Sequence, residues 1–533
     1  MAILNSHLRL ECYSRYARAT VKRAPSSVLA VIAVERTSAT PLYRQIYDAY
    51  RDAIVERRLR AGERLPSTRQ LAAELRISRM PVLIAFEQLL AEGYFESRVG
   101  AGTFVAGSLP GEWLARDAHA AARHVAGRQP AAGRPARPAR VPGPGPRPVS
   151  GRCEALPLPE SEPWLRGWGA FRVSQPAVDR LPIRTWSRLV SRHARDANAG
   201  QLSYGSAMGH EPFREAVAAY LRTARAVRCE KDQIMAVSGS QQALDLAARI
   251  LLDPGCEVWV EEPGYGGACA ALSMAGARLV PVPVDAQGLD VAAGIARAPR
   301  ARAAYVTPSH QYPLGMTMSA ARRLQLLEWA RQSGAWILED DYDSEYRYES
   351  LPVAALQGLD RDSRVIYIGT FSKVLFPALR LGYLALPADL VPRFAALRET
   401  TDGFPPTLYQ AVLADFIEEG HFVRHLRRMR QLYRERRDAL VEALDDELGG
   451  ELRVRDGRAG MHLAATLRPG VDDQRLAAEA ARQGLWIMPL SSCYLGPAAE
   501  PGLVLGYGGT GIAEIREGVH RLRELLAAGG DPP

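Results

Sequence analysis

Residues 369–383 read GTFSKVLFPALRLGY, and the reading of this stretch decides the fold of the larger part of the chain. It contains Lys373, which with Lys22 and Lys231 makes three lysines in a chain of 533 residues that carries 64 arginines. Arginine serves a solvated surface as well as lysine does, so a lysine kept in this background points to a task arginine cannot perform. A guanidinium stays protonated in a protein, whereas a desolvated lysine amine can lose its proton and form a Schiff base. Arg380, seven residues on, is spaced to neutralise a phosphate bidentately.

Outward from this stretch, short β-branched runs alternate with amphipathic segments: QIMAVSGS then QQALDLAARILL, EVWVEEP then GGACAALSMAG, RAAYVTPS then AARRLQLLEWARQSG. The alternation predicts an α/β domain with a mostly parallel sheet, whose sites gather at the carboxyl ends of strands. Gly239, Ser240 and Gln241 fall between a strand and a helix, where free backbone N–H groups hold a phosphate. Asp340 ends the strand AWILE and suits a protonated pyridine nitrogen. Tyr342 is placed to donate to a phenolate oxygen, and Tyr265 offers an aromatic face for a ring. These are the needs of a phosphate-bearing aldehyde cofactor.

Charge separates the two ends of the chain. Net charge is +8 at pH 7, yet residues 1–155 hold 24 basic and 13 acidic side chains against 43 and 46 in the remainder. A basic front end suggests a polyanionic partner there and a different task behind it. The sequence predicts an extension at 1–35, a DNA-binding module at 36–107, and a Pro/Arg-rich tether at 108–163. A cofactor domain follows at 164–533, with a small-domain part from about 395. Six scattered cysteines without CxxC spacing suggest neither zinc nor a disulfide framework, and no metal site is expected. No apolar run reaches the roughly 18 residues of a membrane span, and the first thirty residues lack a signal-peptide core, so a cytoplasmic protein is expected.

In the front module Leu42, Ile46, Ala49, Ala53 and Ile54 recur at helical spacing, with Gly62 and Pro66 as end punctuation. Ser67 and Thr68 offer a cap before RQLAAELRI, and Ser78 offers one before RMPVLIAFEQLLAEGY, which reads as a helix-turn-helix. FESRVGAGTFVA then predicts a β-hairpin wing around Gly100 and Gly102. Arg69, Ser78, Arg79, Arg98 and Gly102 are the candidate DNA-contacting positions. LPSTRQLAAELRISR followed by FEQLLAEGYFESRVGAGTFV resembles the winged helix of the GntR regulators, which implies a recognition helix in the major groove of a double-stranded operator. Where that family commonly has Asn-Thr and a later basic residue, this chain has Met80, Pro81 and Ile84. Met80 and Ile84 supply no hydrogen bonds to bases, so an unusual operator or weaker binding per half-site is expected.

The combination of Gly-Ser-Gln, Tyr, Asp-x-Tyr and Ser-Lys-(x)6-Arg resembles the fold-type I pyridoxal-phosphate enzymes, the aminotransferase family. That resemblance implies that Lys373 forms the Schiff base with pyridoxal 5'-phosphate, Asp340 holds the pyridine nitrogen and Tyr342 the ring oxygen, and Tyr265 covers the ring. It gives the phosphate to Ser240, Gln241, Thr370, Ser372 and Arg380, with Tyr204 reaching the site of the neighbouring subunit. A winged helix joined to such a domain resembles the MocR subfamily of GntR regulators. The resemblance implies a head-to-tail homodimer that senses an amine, an amino acid or the cofactor itself through aldimine chemistry. The alternative is a working aminotransferase with a DNA-binding appendage. SHQYPLG stands in place of the family's NPTG loop, bringing His310, Gln311 and Tyr312, and GLVLGYGG lacks the late arginine that clamps a substrate carboxylate. These departures point to a regulator with at most partial transaminase activity. Arg424, Arg427 and Arg430 are the substitutes the sequence offers for that clamp, although a helix this rich in arginine reads first as a solvated or interface face.

Overall fold

The computed structural model describes residues 34–98, 100–107, 150–154, 162–197, 202–348, 354–455 and 457–528. The expectations for residues 1–33 and for most of the 108–163 tether lie outside these. The described residues fall into two compact units, 34–107 and 150–528.

The first unit orders α1 (Leu42–Val55), α2 (Thr68–Glu74), α3 (Arg79–Ala91), β1 (Phe95–Arg98) and β2 (Gly102–Val105). α1 stops well short of Gly62 and Pro66, because Arg57 turns left-handed (φ 59°) and the Arg58 N–H reaches back to the Ala53 carbonyl at 2.8 Å. Ile46, Ala53 and Ile54 are buried as their spacing predicts, and Tyr47 and Tyr50 join them. Tyr50 meets Phe86 of α3 and Phe95 of β1 edge-on, with centroids 5.6 and 5.3 Å apart, which fixes both later elements on α1. Ser67 caps α2 by accepting from the Gln70 N–H at 3.2 Å. Ser78 occupies the cap position of α3 without a side-chain bond, and Pro81 lies in the first turn, where its missing N–H costs nothing. The wing is antiparallel with Phe95 opposite Val105 and Arg98 opposite Gly102.

The second unit is built on an eight-stranded mixed sheet. Its strands are β3 (Ile234–Val237), β4 (Glu257–Glu262), β5 (Arg278–Asp285), β6 (Gly288–Leu289), β7 (Ala303–Val306), β8 (Trp336–Asp341), β9 (Val365–Thr370) and β10 (Gly382–Ala385). They lie in the order β3-β10-β9-β8-β7-β4-β5-β6. β9, β8, β7, β4 and β5 pair in parallel, while β10 is antiparallel to both β9 and β3. β3 therefore runs in the same direction as β9, and the carboxyl ends of β3, β4, β7, β8 and β9 share one edge. The start of the reversed strand β10 lies at that edge too. Helix α4 (Glu211–Arg225) precedes β3, and α5 (Ser240–Leu251), α6 (Gly266–Met274) and α7 (Ala320–Ser333) follow the strand-helix alternation read from the sequence.

A second, antiparallel sheet follows the long helix α8 (His421–Leu448). β11 (Leu452–Arg455), β12 (His462–Leu467), β13 (Met488–Pro489) and β14 (Gly502–Gly506) lie in the order β11-β12-β14-β13, and α9 (Ile512–Ala528) closes the chain. One apolar core joins this sheet to the large one, running from Leu463, Leu505 and Val519 through Tyr433 to Phe213 and Phe371. Among the described residues, no helix is long and apolar enough to cross a membrane.

Candidate functional site

The shared edge of the large sheet collects most of the residues the sequence singled out. Gly239 leaves β3 with φ 106° and starts α5, so the first N–H groups of that helix, at Ser240 and Gln241, have no intrahelical partner. A Cβ on Gly239 would stand 3.5 Å from Nη1 and Nη2 of Arg380, which places the guanidinium directly over this helix start. Arg380 reaches it from just before β10, held in a left-handed turn at φ 50°. Gln241 turns aside and donates to the Gly267 carbonyl at 2.8 Å. Thr370 and Ser372 are buried at the end of β9, the Ser372 N–H donating to Thr370 Oγ1 at 3.2 Å.

Strand β8 carries Glu339, Asp340 and Asp341 in succession, and strand alternation decides which carboxylate is available. Asp341 pairs with Arg225 at 2.7 Å and accepts from the Tyr367 hydroxyl. Glu339 caps the 356–359 turn, accepting from the Leu356 and Gln357 N–H groups at 2.7 and 2.8 Å. Asp340 points the other way; its Oδ2 accepts from the Tyr305 hydroxyl at 3.0 Å and its buried Oδ1 has no partner. Burial pushes the Asp340 carboxyl up to about 7, against the nearby Lys373 charge that pulls it down. Burial likewise lowers the Lys373 amine to about 8, although the neighbouring Asp343 and Asp340 oppose that shift. The Lys373 Nζ makes one long contact, to the Ser174 carbonyl at 3.5 Å.

Tyr342 lies 2.9 Å from His310 Nδ1, which faces the Asp343 carboxylate at 2.9 and 3.2 Å. A carboxylate at Nδ1 selects the tautomer with hydrogen on that nitrogen. The Tyr342 oxygen then accepts there, and its own proton is free to be donated into the site. Burial holds His462, whose ring centroid is 5.2 Å from that of His310, neutral with its pKa at about 3. Tyr312 occupies the centre of the wall, with centroids 5.5 Å from Tyr265, 5.9 Å from Tyr342 and 5.5 Å from His462. Of the SHQ-Y substitutes, Gln311 serves the loop itself, donating to the Pro263 carbonyl at 2.9 Å and accepting from the Leu314 N–H at 3.1 Å.

Several predicted residues stand apart. Tyr204 is 92% exposed and touches only the Phe404 ring, at 5.9 Å, among the contacts described. Arg424 donates to the Glu419 carbonyl and Arg430 to that of Glu345, both at 3.0 Å. Arg427 and Arg430 line a separate cavity with Tyr220 and Glu345, one that includes none of the candidate cofactor residues. In the winged unit Arg69, Ser78, Arg79 and Arg98 are all exposed. Arg79 donates to Thr68 Oγ1 at 3.1 Å, tying α3 to α2, and Arg98 stacks over the Phe104 ring at 4.6 Å while pairing with Glu96. Gly102, at φ 109°, leaves room for the Arg64 guanidinium, 3.5 Å from where its Cβ would be.

Sequence reasoning missed Tyr305, Asp343 and His462. Tyr305 lies next to the carboxyl end of β7, which was a usable signal; the other two meet His310 only through the fold.

These residues fit a pyridine-ring cofactor with a phosphate arm. A buried carboxylate oxygen lacks a partner, a glycine cradle lies beneath an arginine, and a desolvated lysine amine senses the charge of both Asp340 and Arg380. The description "Aminotransferase class I and II" matches residues 174–519, and "Bacterial regulatory proteins, gntR family" matches residues 42–105. The chain is 40% identical over 93% of its length, and 96% of the relative's, to the probable rhizopine catabolism regulatory protein MocR of Rhizobium meliloti. The chain belongs to the MocR subfamily of GntR regulators. A second MocR-type relative, the HTH-type transcriptional regulator TauR of Rhodobacter capsulatus, is 32% identical over 89% of this chain and 94% of its own. Among solved structures, the kynurenine aminotransferase of Pyrococcus horikoshii shares 26% identity at TM-score 0.67, covering 72% of this chain and 98% of that enzyme. The α-aminoadipate aminotransferase LysN of Thermus thermophilus, solved with a phosphopyridoxyl-leucine, shares 28% at TM-score 0.66, covering 71% and 97%. The MocR architecture thus covers both described units, and the enzyme likeness covers the second alone.

Proposed function

We propose that this protein is a pyridoxal-phosphate-dependent transcriptional regulator that binds double-stranded DNA through its winged helix and senses an amine, an amino acid or the cofactor at Lys373. The observation that carries the reading is the presence, in one chain, of the exposed arginines of a GntR winged helix and a half-buried Lys373 together with a buried Asp340 whose Oδ1 has no partner.

When bound, the cofactor supplies an aldehyde carbon that condenses with amines and a pyridine ring that withdraws electrons. Each residue of the chain has a distinct task around it. Burial lowers the Lys373 amine to about 8, so it is more readily available in neutral form than an ordinary lysine. Asp340 Oδ1 holds the ring nitrogen, and Tyr305 keeps that carboxylate turned inward. Tyr342, backed by His310 and Asp343, directs its hydroxyl proton at the ring oxygen. Tyr265 covers the ring. Ser240, Gln241, Thr370, Ser372 and Arg380 receive the phosphate at the start of α5. Tyr204, exposed on a single chain, extends to the phosphate of a partner subunit in a head-to-tail homodimer, and the protein works in the cytoplasm. Ligand binding shifts the dimer between closure states that hold the two winged helices at different half-site spacings.

Sensor and enzyme differ in turnover. Absorbance of the bound cofactor is followed after adding an amine, with and without a keto-acid acceptor, alongside affinity for the DNA upstream of the gene. The sensor gives a spectral shift and a changed DNA affinity without sustained keto-acid consumption. Steady consumption with unchanged DNA affinity overturns the reading in favour of an aminotransferase with an appendage.

A further inference from the structure

The stretch that lacks the late arginine packs against a segment that carries another one. Gly506, Gly508 and Gly509 lie where residues 171–175 cross the end of β14. A Cβ on Gly506 would meet the Arg172 carbonyl oxygen at 2.2 Å, one on Gly508 the Gln175 carbonyl oxygen at 2.7 Å, and one on Gly509 the Gln175 Cγ at 2.7 Å. At Gly506 and Gly508 the obstacle is backbone, so no side chain fits there. The crossing segment is pinned. The Gly506 N–H donates to the Phe171 carbonyl at 3.0 Å, the Phe171 N–H donates to Thr510 Oγ1 at 3.1 Å, and both Phe171 and Ser174 adopt left-handed backbone, φ 65° and 67°. Its reach ends at Lys373, whose Nζ is 3.5 Å from the Ser174 carbonyl.

Arg172 sits in the middle of that segment and is half-buried. One nitrogen, Nη1, donates to the Trp164 carbonyl at 2.7 Å, which anchors the guanidinium and leaves other N–H donors unused. Among the described residues no carboxylate lies within ion-pair distance of it. Arg172 lies two residues before Ser174, whose carbonyl meets the Lys373 Nζ at 3.5 Å, and its charge opposes protonation of Lys373 and counters the rise at the Tyr312 hydroxyl. Arg380, by contrast, stands over Gly239 at the phosphate end. A desolvated guanidinium with no counter-charge is costly, and an anionic ligand group removes that cost.

We infer that Arg172 receives the acidic end of the ligand, so that the sensed molecule is an amine carrying a carboxylate, with its amine at Lys373 and its acid group at Arg172. This rests on the amine-sensing reading above. The full-length protein loaded with cofactor is titrated with glycine, β-alanine, 4-aminobutanoate and 5-aminopentanoate. Each is compared with its decarboxylated counterpart: methylamine, ethylamine, propylamine or butylamine. The readouts are cofactor absorbance and DNA affinity. At least one acid binds about 10- to 100-fold more tightly than its matched amine. In Arg172→Gln that advantage disappears, and in Arg172→Lys part of it returns; retained cofactor absorbance in each variant shows that the fold is intact. Equal affinity for acids and amines in the unmodified protein, or an advantage that survives in Arg172→Gln, overturns the inference and leaves the sensor reading standing. If neither series alters the absorbance, amine sensing itself fails and the inference falls with it.

Discussion

The two units place their polar chemistry in opposite positions. In the cofactor unit Asp340, Thr370, Ser372, His310 and Asp343 are buried at the edge of a sheet, each in a fixed relation to the others. In the winged unit Arg69, Ser78, Arg79 and Arg98 stand in solvent around a core of Ile46, Tyr50, Phe86 and Leu89. A buried polar group left without its partner bears the full cost of desolvation, whereas an exposed one falls back on water. Single substitutions in the cofactor unit should therefore have large effects, and those in the winged unit should act in small, salt-dependent steps.

The strongest test of that contrast is Lys373→Arg. The substitution keeps the charge and removes the amine that can be deprotonated, so the absorbance of covalently held cofactor should vanish completely. If the DNA affinity of this variant still responds to amines, Lys373 is not the sensing group. The unmodified lysine also gives a pH signature. With the amine depressed from 10.5 to about 8, the rate at which the apo protein takes up cofactor should climb up to about pH 8 and flatten above it. The folded site has released a proton that the unfolded chain still binds, so the apo protein should gain stability between about pH 8 and 10.5. An uptake rate still rising steeply at pH 10 would mean an ordinary, solvated lysine.

Asp340→Asn comes next in size. The amide keeps the shape and the Tyr305 contact but loses the charge on the unpartnered Oδ1. Cofactor affinity should fall by about 1.5–3 kcal/mol, roughly 10- to 100-fold in Kd by titration of the apo protein. The matching change at Asp341 separates site from scaffold. Asp341→Asn breaks the buried pair with Arg225, so it should lower the melting temperature more than it weakens cofactor binding. Cofactor loss of equal size in both variants would erase the distinction that strand alternation makes between these neighbours.

How much of this was legible in the sequence follows from the same contrast. Lys373, Arg380, Asp340 and Gly239 could be read because residue type and position at a strand end carry the chemistry, and the alternation of strands and helices places those ends together. The choice of Asp340 over Asp341 could be read only as a resemblance; its physical basis, the capture of Asp341 by Arg225 and Tyr367, joins residues 116 and 26 positions away. His310 and Asp343 meet across 33 positions, and Ser174 meets Lys373 across 199. No local pattern encodes such meetings. The end of α1 was misjudged because a non-glycine residue, Arg57, supplies the left-handed turn that glycine usually signals.

In the winged unit, Arg79→Ala should weaken DNA binding by about tenfold and reduce the salt slope by about one, as expected for loss of a single phosphate contact. An unchanged slope would mean that Arg79 serves only its bond to Thr68, a scaffold task of the kind that prevails in the other unit.

The smallest effect concerns the outer face of α3. Met80 is 61% exposed and Ile84 39%, so two apolar side chains face outward on the helix that the family places in the major groove. Neither can hydrogen-bond a base edge, although both can pack against a thymine methyl. Replacing Met80 and Pro81 together by Asn and Thr adds neutral hydrogen-bonding groups in the first turn of α3. Affinity for a GntR-type operator should rise by only a few-fold, and the salt slope should stay fixed because no charge is added. The variant's preferred sequence should also shift away from thymine at the contacted position, measured by selection from a randomised duplex pool. If the preference is unmoved, α3 does not read bases through this face, and the exposed methionine and isoleucine serve a protein surface instead.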